Sequence, residues 1–99
     1  MTDKIYTFDE IKAIVTPIAQ QYNLKEVYLF GSYARGEATA ESDIDLVMNF
    51  YQPIDLFTYS EIIENLENQF GKKVDIISHN SASPRLLYHI IDDEVLMYA

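Results

Sequence analysis

The sequence contains no cysteine, which excludes disulfide bonds and thiolate metal sites. It has no apolar run approaching the roughly 20 residues that a membrane-spanning helix needs. Its first four residues, 1–4, lack the basic and apolar blocks of a secretory signal peptide. From these three absences we expect a cytoplasmic protein that does not associate with a membrane.

Basic residues are scarce in this chain: seven Lys and Arg stand against 16 Asp and Glu, which gives a formal net charge of −9. A domain that grips a nucleic-acid backbone usually presents a basic surface, so we expect no direct nucleic-acid partner. A basic protein partner, or a nucleotide bound through metal ions, suits this charge better. The simpler alternative is that the acidic side chains only keep a small protein in solution.

The length of 99 residues fits one small domain, residues 1–99. Apolar periodicity and capping signals predict four helices: 7–21, 32–36, one that starts between 55 and 58 and ends at 70, and one from Ser83–Pro84 onward. Short β-prone runs bounded by turn signals predict four strands: 26–30, 43–48, 74–78 and 95–98. This order predicts an α/β (α+β) fold with helices on a sheet of about four strands, the last at an edge. Pro17 should kink or divide the first helix.

A glycine turn joins the first predicted strand to the short helix, in the segment Phe-Gly-Ser-Tyr-Ala-Arg-Gly over 30–36. Gly31 lets the backbone turn sharply and approach a ligand closely. Ser32 brings a hydroxyl and a backbone N–H to a helix N-terminus, where such groups bind phosphate. Taken alone, the segment is better described as an ordinary glycine turn with a serine cap.

Two acidic residues, Asp43 and Asp45, lie two positions apart on a predicted strand, so their side chains should point to the same face. Neighbouring carboxylates repel each other unless a cation lies between them. Magnesium is a hard cation that takes carboxylate and phosphate oxygens together. The alternative, that both acids sit at a solvated strand end, stays open on this pair alone.

A third acid, Asp75, lies inside the apolar strand 74–78. A buried carboxylate without a partner is costly, so Asp75 is expected to have a cation or another partner. If its strand neighbours that of Asp43, the two strands lie ~4.8 Å apart. The three carboxylates could then hold two magnesium ions ~3.5–4 Å apart.

These motifs together resemble a known family. Gly31-Ser32, then Asp43-Ile44-Asp45, then Asp75 is similar to the catalytic signature of the polymerase-β-like nucleotidyltransferases. More narrowly, segments 31–37 and 42–46 resemble the minimal nucleotidyltransferases, the MntA-type antitoxins paired with HEPN-domain toxins. The resemblance extends over nearly the whole chain and implies the polymerase-β-like fold, with helices packed on a mixed sheet.

The resemblance also implies roles for individual residues. Asp43 and Asp45 would hold Mg²⁺, with two ions expected, and Asp75 would complete the cluster and help to deprotonate the acceptor hydroxyl. Gly31 and Ser32 would hold the triphosphate of ATP. Arg35 would either contact phosphate or pair with an acid to brace the loop. The reaction would be attack of a hydroxyl on the α-phosphate of ATP, with release of pyrophosphate.

The expected function is that of an antitoxin that adenylylates its cognate HEPN-type RNase toxin, with a tyrosine hydroxyl as acceptor. Such a chain would form a hetero-oligomer with the toxin and a homodimer when alone. One alternative keeps the chemistry but uses a small acceptor such as an aminoglycoside. Others are an antitoxin that only blocks its toxin by binding, and a bare metal- or nucleotide-binding module.

Several other residues were weighed as functional groups. His79 and His89 have no second histidine at ligand spacing, and structural or surface roles are expected for both. Tyr33 lies within the phosphate-binding segment and is expected to line the nucleotide site. The aromatic-rich segment 50–59 is either a partner-binding surface or a loop folded back over the core.

Overall fold

The computed structural model describes residues 3–78 and 94–99. Its elements are α1 (Phe8–Gln21), β1 (Leu24–Phe30), α2 (Gly31–Ala34), β2 (Ile44–Phe50), α3 (Leu56–Phe70), β3 (Val74–Ser78) and β4 (Val95–Tyr98). Their order confirms the prediction, with boundaries shifted by up to two residues. The predicted helix after Ser83–Pro84, and both histidines, lie outside the described residues.

Helix α1 begins where its sequence predicts, at a capping box. The Thr7 hydroxyl accepts a hydrogen bond from the Glu10 N–H at 3.2 Å, and the Glu10 carboxylate accepts one from the Thr7 N–H at 2.9 Å. The helix continues through Pro17 as a single element, so the proline does not divide it. Val15 and Ile18, on either side of the proline, are both buried in the core, which holds the two halves together.

Helix α3 is also bounded by local signals. The Asp55 carboxylate caps its first turn by accepting a hydrogen bond from the Thr58 N–H at 2.7 Å. Gly71 ends it in the left-handed conformation, at a φ of 67°. No helix within the described ranges is both long enough and apolar enough to span a bilayer.

The four strands form one mixed sheet in the order β3-β2-β1-β4. β1 runs antiparallel to β2 and β4, whereas β2 and β3 are parallel. The predicted mixed sheet is therefore confirmed, as is the edge position of β4. The parallel register pairs Asp45 with Asp75, and the antiparallel register pairs Asp45 with Phe30, the residue before Gly31.

The core lies between the helices and one face of the sheet. Ile44, Leu46 and Met48 of β2 point into it and are at most 1% exposed. Strand alternation then places Asp45 on the opposite face. The helices supply the other side of the core, chiefly Ile11, Val15, Ile62, Leu66 and Phe70.

Candidate active site

The centre of the site is the pair Asp45 and Asp75, which the parallel register of β2 and β3 places side by side. The pKa of Asp45 is raised to about 6, chiefly because the carboxyl is partly buried. The charges of Asp75 and Asp43 and a hydrogen bond with Asp75 raise it further, while Lys73 opposes them. Without a bound cation, the ionised carboxylates therefore destabilise one another.

Asp43 lies one residue before β2, although the sequence predicted it as the first residue of the strand. Pairing starts at Ile44, whose N–H donates to the Lys73 carbonyl at 3.0 Å. The position of Asp43 is therefore set by the loop before the strand, and not by the strand's alternation. Its charge nevertheless contributes to the raised pKa of Asp45, so the structure brings the three predicted acids into one electrostatic site.

The expected burial of Asp75 is wrong. Its side chain is 46% exposed, and Lys73 Nζ lies 3.6 Å from Asp75 Oδ1. The reason is the position of β3 at the edge of the sheet, which leaves one side of the strand open. The case for a cation at this site therefore depends on the proximity of Asp45 and not on the cost of burying Asp75.

Gly31 joins the predicted phosphate-binding turn to the acid pair. Its φ is +73°, and a Cβ at this position would collide with Asp45 Oδ2. Only glycine combines this conformation with so close an approach of the backbone to the carboxylate. A ligand held at the turn would consequently lie next to Asp45.

Ser32 follows Gly31 at the start of α2. Among the described residues, its hydroxyl has no hydrogen-bond partner within the protein, while its carbonyl accepts from the Glu37 N–H at 2.9 Å. Helix α2 is only four residues long, so its dipole is weak. The hydroxyl and the N–H groups of this first turn are thus the donors that the turn offers to a ligand.

Arg35 pairs with an acid, which is one of its two expected roles. Arg35 Nε lies 3.2 Å from Glu37 Oε2, and both side chains are exposed. This pair braces the end of the turn beside Gly36, which has a φ of +72°. Contact between Arg35 and phosphate stays a prediction.

Lys72 belongs to the site and was missed by sequence analysis. It is 5% exposed, and its Nζ donates to Tyr33 Oη at 3.1 Å and to the carbonyls of Ala40 and Ser42, both at 3.3 Å. The sequence signal is a Lys-Lys pair between a helix-ending glycine and a strand, a pattern typical of solvated residues. It does not reveal which of the two lysines is buried.

Tyr33 does not line an open nucleotide site, contrary to the expectation. It is 3% exposed and belongs to the hydrophobic core. Its ring also lies below the Lys72 ammonium, with 5.6 Å between Nζ and the ring centroid. Tyr33 therefore supports the Gly31–Ser32 turn from the core side.

The donor set fits magnesium. Within residues 3–78 and 94–99, no three His, Cys, Asp or Glu side chains converge into a complete metal site. Magnesium does not need such a cage, because it binds through one or two carboxylates and takes waters and substrate phosphates as its other ligands. The Asp45–Asp75 pair, with Asp43 nearby and the Gly31 backbone alongside, offers that partial set.

The aromatic segment 50–59 lies at the other end of β2. Phe50 is buried, whereas Leu56 and Phe57 are 77% and 88% exposed. A groove of about 540 Å³ opens there, lined by Phe50, Pro53, Ile54, Asp55, Leu56, Tyr59 and Ser78. The segment partly packs on the core, as one of the two alternatives predicts, and binding of a partner stays a prediction.

The known proteins that are similar to this chain in sequence are nucleotidyltransferases. A sequence model described as polymerase beta, nucleotidyltransferase, matches residues 12–99. A Methanocaldococcus jannaschii protein, provisionally named as a protein adenylyltransferase, is 39% identical over 85 residues, covering 82% of this chain and 99% of the relative. The protein adenylyltransferase MntA of Thermococcus cleftensis is 34% identical over 79 residues, covering 76% and 80%.

Solved structures share the fold. A toxin–antitoxin crystal structure with AMP-PNP contains a chain that matches with a TM-score of 0.80 at 23% identity, over 89% of this chain and 73% of that one. A complex of the tri-AMPylated Shewanella oneidensis HEPN toxin with its MNT antitoxin matches with a TM-score of 0.76 at 20% identity, over 94% and 73%. These similarities confirm the expected polymerase-β-like architecture.

Proposed function

The chain belongs to the polymerase β nucleotidyltransferase family, and from that premise we propose that it is a cytoplasmic antitoxin that adenylylates a HEPN-domain toxin. The proposed reaction transfers AMP from ATP, with Mg²⁺, to a tyrosine hydroxyl of the toxin. The observation that carries this proposal is the contact of the Gly31 backbone with Asp45, next to Asp75. This close approach supports a role for the turn in binding phosphate beside carboxylates that would hold a cation.

The names of the relatives support the acceptor class. The Thermococcus cleftensis relative is named as a protein adenylyltransferase, and the Shewanella oneidensis complex contains an AMPylated HEPN toxin. The charge of this chain supports the same partner, because a net charge of −9 favours docking on the basic surface expected of an RNase. A hetero-oligomer with the toxin is therefore the proposed working assembly.

In the proposed mechanism, Asp43, Asp45 and Asp75 hold Mg²⁺. When bound, the metal would offset the charge of the triphosphate and make the acceptor hydroxyl easier to deprotonate. Gly31 gives the triphosphate a backbone surface without a Cβ, and the Ser32 hydroxyl donates to a phosphate oxygen. Each of these groups is set by the fold before ATP binds, which is the condition for catalysis by positioning.

In the proposed transfer step, one bond to phosphorus forms as another breaks, and a named residue accepts the proton. The acceptor oxygen forms a bond to the α-phosphorus while the bond from that phosphorus to the α–β bridging oxygen breaks, and pyrophosphate leaves. Asp75 takes the hydroxyl proton, since it is the acid with a side chain 46% exposed at the sheet edge. Adenylylation then adds a bulky anion to the toxin, which opposes the binding of RNA.

The test is to incubate the purified toxin with this protein, ATP and Mg²⁺, and to weigh the toxin by mass spectrometry. The expected result is one or more AMP increments on tyrosine with the wild type and none with Asp43→Asn. An unmodified toxin whose RNase activity is blocked stoichiometrically would contradict the proposal and indicate an antitoxin that acts by binding alone.

A further inference from the structure

Lys72 is the most unusual charged residue of the described chain. Lysine is almost never fully buried unless it is paired, yet Lys72 is 5% exposed. Among the described residues it forms no ion pair, and its partners are one hydroxyl and two backbone carbonyls. A buried ammonium with only neutral partners is costly, which suggests a role beyond filling space.

The three acceptors of Lys72 belong to the two segments that build the candidate site. Tyr33 directly follows Ser32 in the phosphate-binding turn, and its hydroxyl accepts at 3.1 Å. The carbonyls of Ala40 and Ser42 belong to the loop that leads into Asp43, and both accept at 3.3 Å. One ammonium thus connects the turn that carries the phosphate donors with the loop that carries the first acid.

Few other contacts hold this loop. Apart from the bond between Lys72 and the Ser42 carbonyl, the hydrogen bonds of Thr39, Glu41 and Ser42 within the described residues join these three residues to one another. The next link to the sheet is the bond from the Ile44 N–H to the Lys73 carbonyl at 3.0 Å. Ala38 packs against the core, and among the described residues the Lys72 ammonium is the side-chain hydrogen-bond donor that ties the end of the loop, at Ala40 and Ser42, to the rest of the protein.

We propose that Lys72 is a positioning residue whose ammonium sets the distance between the Gly31–Ser32 turn and Asp43. Among the described residues its hydrogen bonds go to no carboxylate, and it acts through the Tyr33 hydroxyl on one segment and the carbonyls of Ala40 and Ser42 on the other. This inference rests on the proposed nucleotidyl transfer at the same site, since the consequence of lost positioning is weaker use of Mg²⁺ and ATP.

The test compares Lys72→Met, which keeps the apolar stem but loses the charge, with Lys72→Arg, which keeps the charge. Lys12→Met is the matched control, because Lys12 is an exposed lysine on α1. Isothermal titration with ATP and Mg²⁺ is expected to show affinity weakened on the order of tenfold in Lys72→Met. Lys72→Arg should recover part of this loss, and Lys12→Met should bind like the wild type.

Hydrogen exchange of the ligand-free protein supplies a readout independent of nucleotide. In Lys72→Met, amides over 32–43 are expected to exchange faster, while those of β1 paired with β2 keep their protection. Exchange that is faster throughout, or unchanged ATP affinity in a folded Lys72→Met, would overturn the inference. If that variant does not fold, Tyr33→Phe removes one of the three bonds and should give the same pattern at smaller amplitude; a wild-type pattern would overturn the inference.

The two experiments separate this inference from the proposed function. A wild-type protein that binds no ATP with Mg²⁺ would refute the proposed function, whereas the exchange data would still show whether Lys72 holds the two segments together. A wild type that binds ATP, beside a Lys72→Met variant that binds it equally well, would refute only the role of Lys72.

Discussion

The two ends of β2 carry opposite kinds of surface. At its start, Asp45 lies beside Asp75 and against the Gly31 backbone. At its other end, about 20 Å away for a strand of this length, Leu56 and Phe57 are exposed beside an apolar groove. Both ends rest on the same buried core, so the difference between them is one of surface chemistry.

The residues at the two ends of β2 affect the stability of the protein in different ways. At the acid end, neighbouring carboxylates repel each other in the ligand-free protein, so the groups assigned to catalysis lower its stability. At the apolar end, exposed side chains contribute little to folding and therefore cost little when changed. Substitution of an acid should consequently exchange activity for stability at one end, whereas substitution of an exposed apolar residue should change neither at the other.

The largest effect is expected for Gly31→Ala. The left-handed backbone costs an alanine about 1–2 kcal/mol, and the collision with Asp45 adds about 1–3 kcal/mol by overpacking. Displacing the turn should also lower AMP transfer at least ~100-fold. Denaturant unfolding and a transfer assay measure the two effects.

Gly36→Ala is the matched control for that substitution. Gly36 has nearly the same φ, +72°, but a Cβ there would meet nothing within 4 Å. It should therefore show the backbone cost alone, with activity retained. Equal losses of activity in the two variants would mean that the contact with Asp45 has no functional importance.

The next effect concerns the separate acids. Asp43→Asn and Asp75→Asn should each abolish transfer while far-UV circular dichroism stays unchanged, because each removes a charge assigned to the reaction and neither side chain belongs to the buried core. Asp75→Asn should weaken ATP binding less than Asp43→Asn, since Asp75 comes from a separate edge strand and serves the acceptor side. Complete loss of ATP binding in a folded Asp75→Asn would reverse this division of roles.

A smaller effect is expected on stability at the acid end. The pKa of Asp45 is raised to about 6 in the folded protein, so ionisation penalises the native state as pH rises from about 4 to 6. Asp45→Asn should remove this penalty and stabilise the ligand-free protein at pH 7.5 by about 1 kcal/mol, after discounting the shift for solvent screening.

Thermal unfolding of wild type and Asp45→Asn across pH 4 to 8 checks the sign. The melting temperature of the variant should exceed that of the wild type by about 4–8 °C above pH 6. The difference should shrink toward pH 4, where Asp45 is protonated in the folded state and about half protonated in the unfolded state. A difference that is constant with pH would mean that the gain is unrelated to charge.

The smallest effect is expected at the apolar end. Phe57→Ser should change the free energy of unfolding by less than about 0.5 kcal/mol, because the side chain is 88% exposed. ATP affinity, measured by titration with Mg²⁺, should match that of the wild type. A weaker ATP affinity in this variant would show that the two ends of β2 are coupled.

Features that depend on near neighbours in sequence were predictable. The capping box of Thr7 and Glu10 and the stop at Gly71 are local geometries, and both lie where the sequence placed them. Strand order depends on contacts between distant parts of the chain. The sequence therefore predicts that the acids lie together only if their two strands are neighbours in the sheet. The burial of Asp75 was misjudged for the same reason, since an apolar strand does not reveal that it lies at an edge.

Lys72 shows a second limit of sequence reasoning. Its burial depends on a loop that folds over it through the carbonyls of Ala40 and Ser42, which lie 32 and 30 positions earlier in the chain. Lysine identity predicts exposure, and backbone acceptors carry no sequence signal. By contrast, Pro17 gives a clear sequence signal for a break in the helix, but the packing of Val15 and Ile18 in the core outweighs it.

The parallel pairing of β2 and β3 also determines when the site can exist during folding. Parallel strands require a crossover connection, and α3 is that connection here. A folding intermediate that has formed only β1, α2 and β2 would hold Gly31 against Asp45 but lack Asp75. The acid pair therefore forms only when β3 pairs with β2, whereas the pairing of β4 at the opposite edge is not required for it.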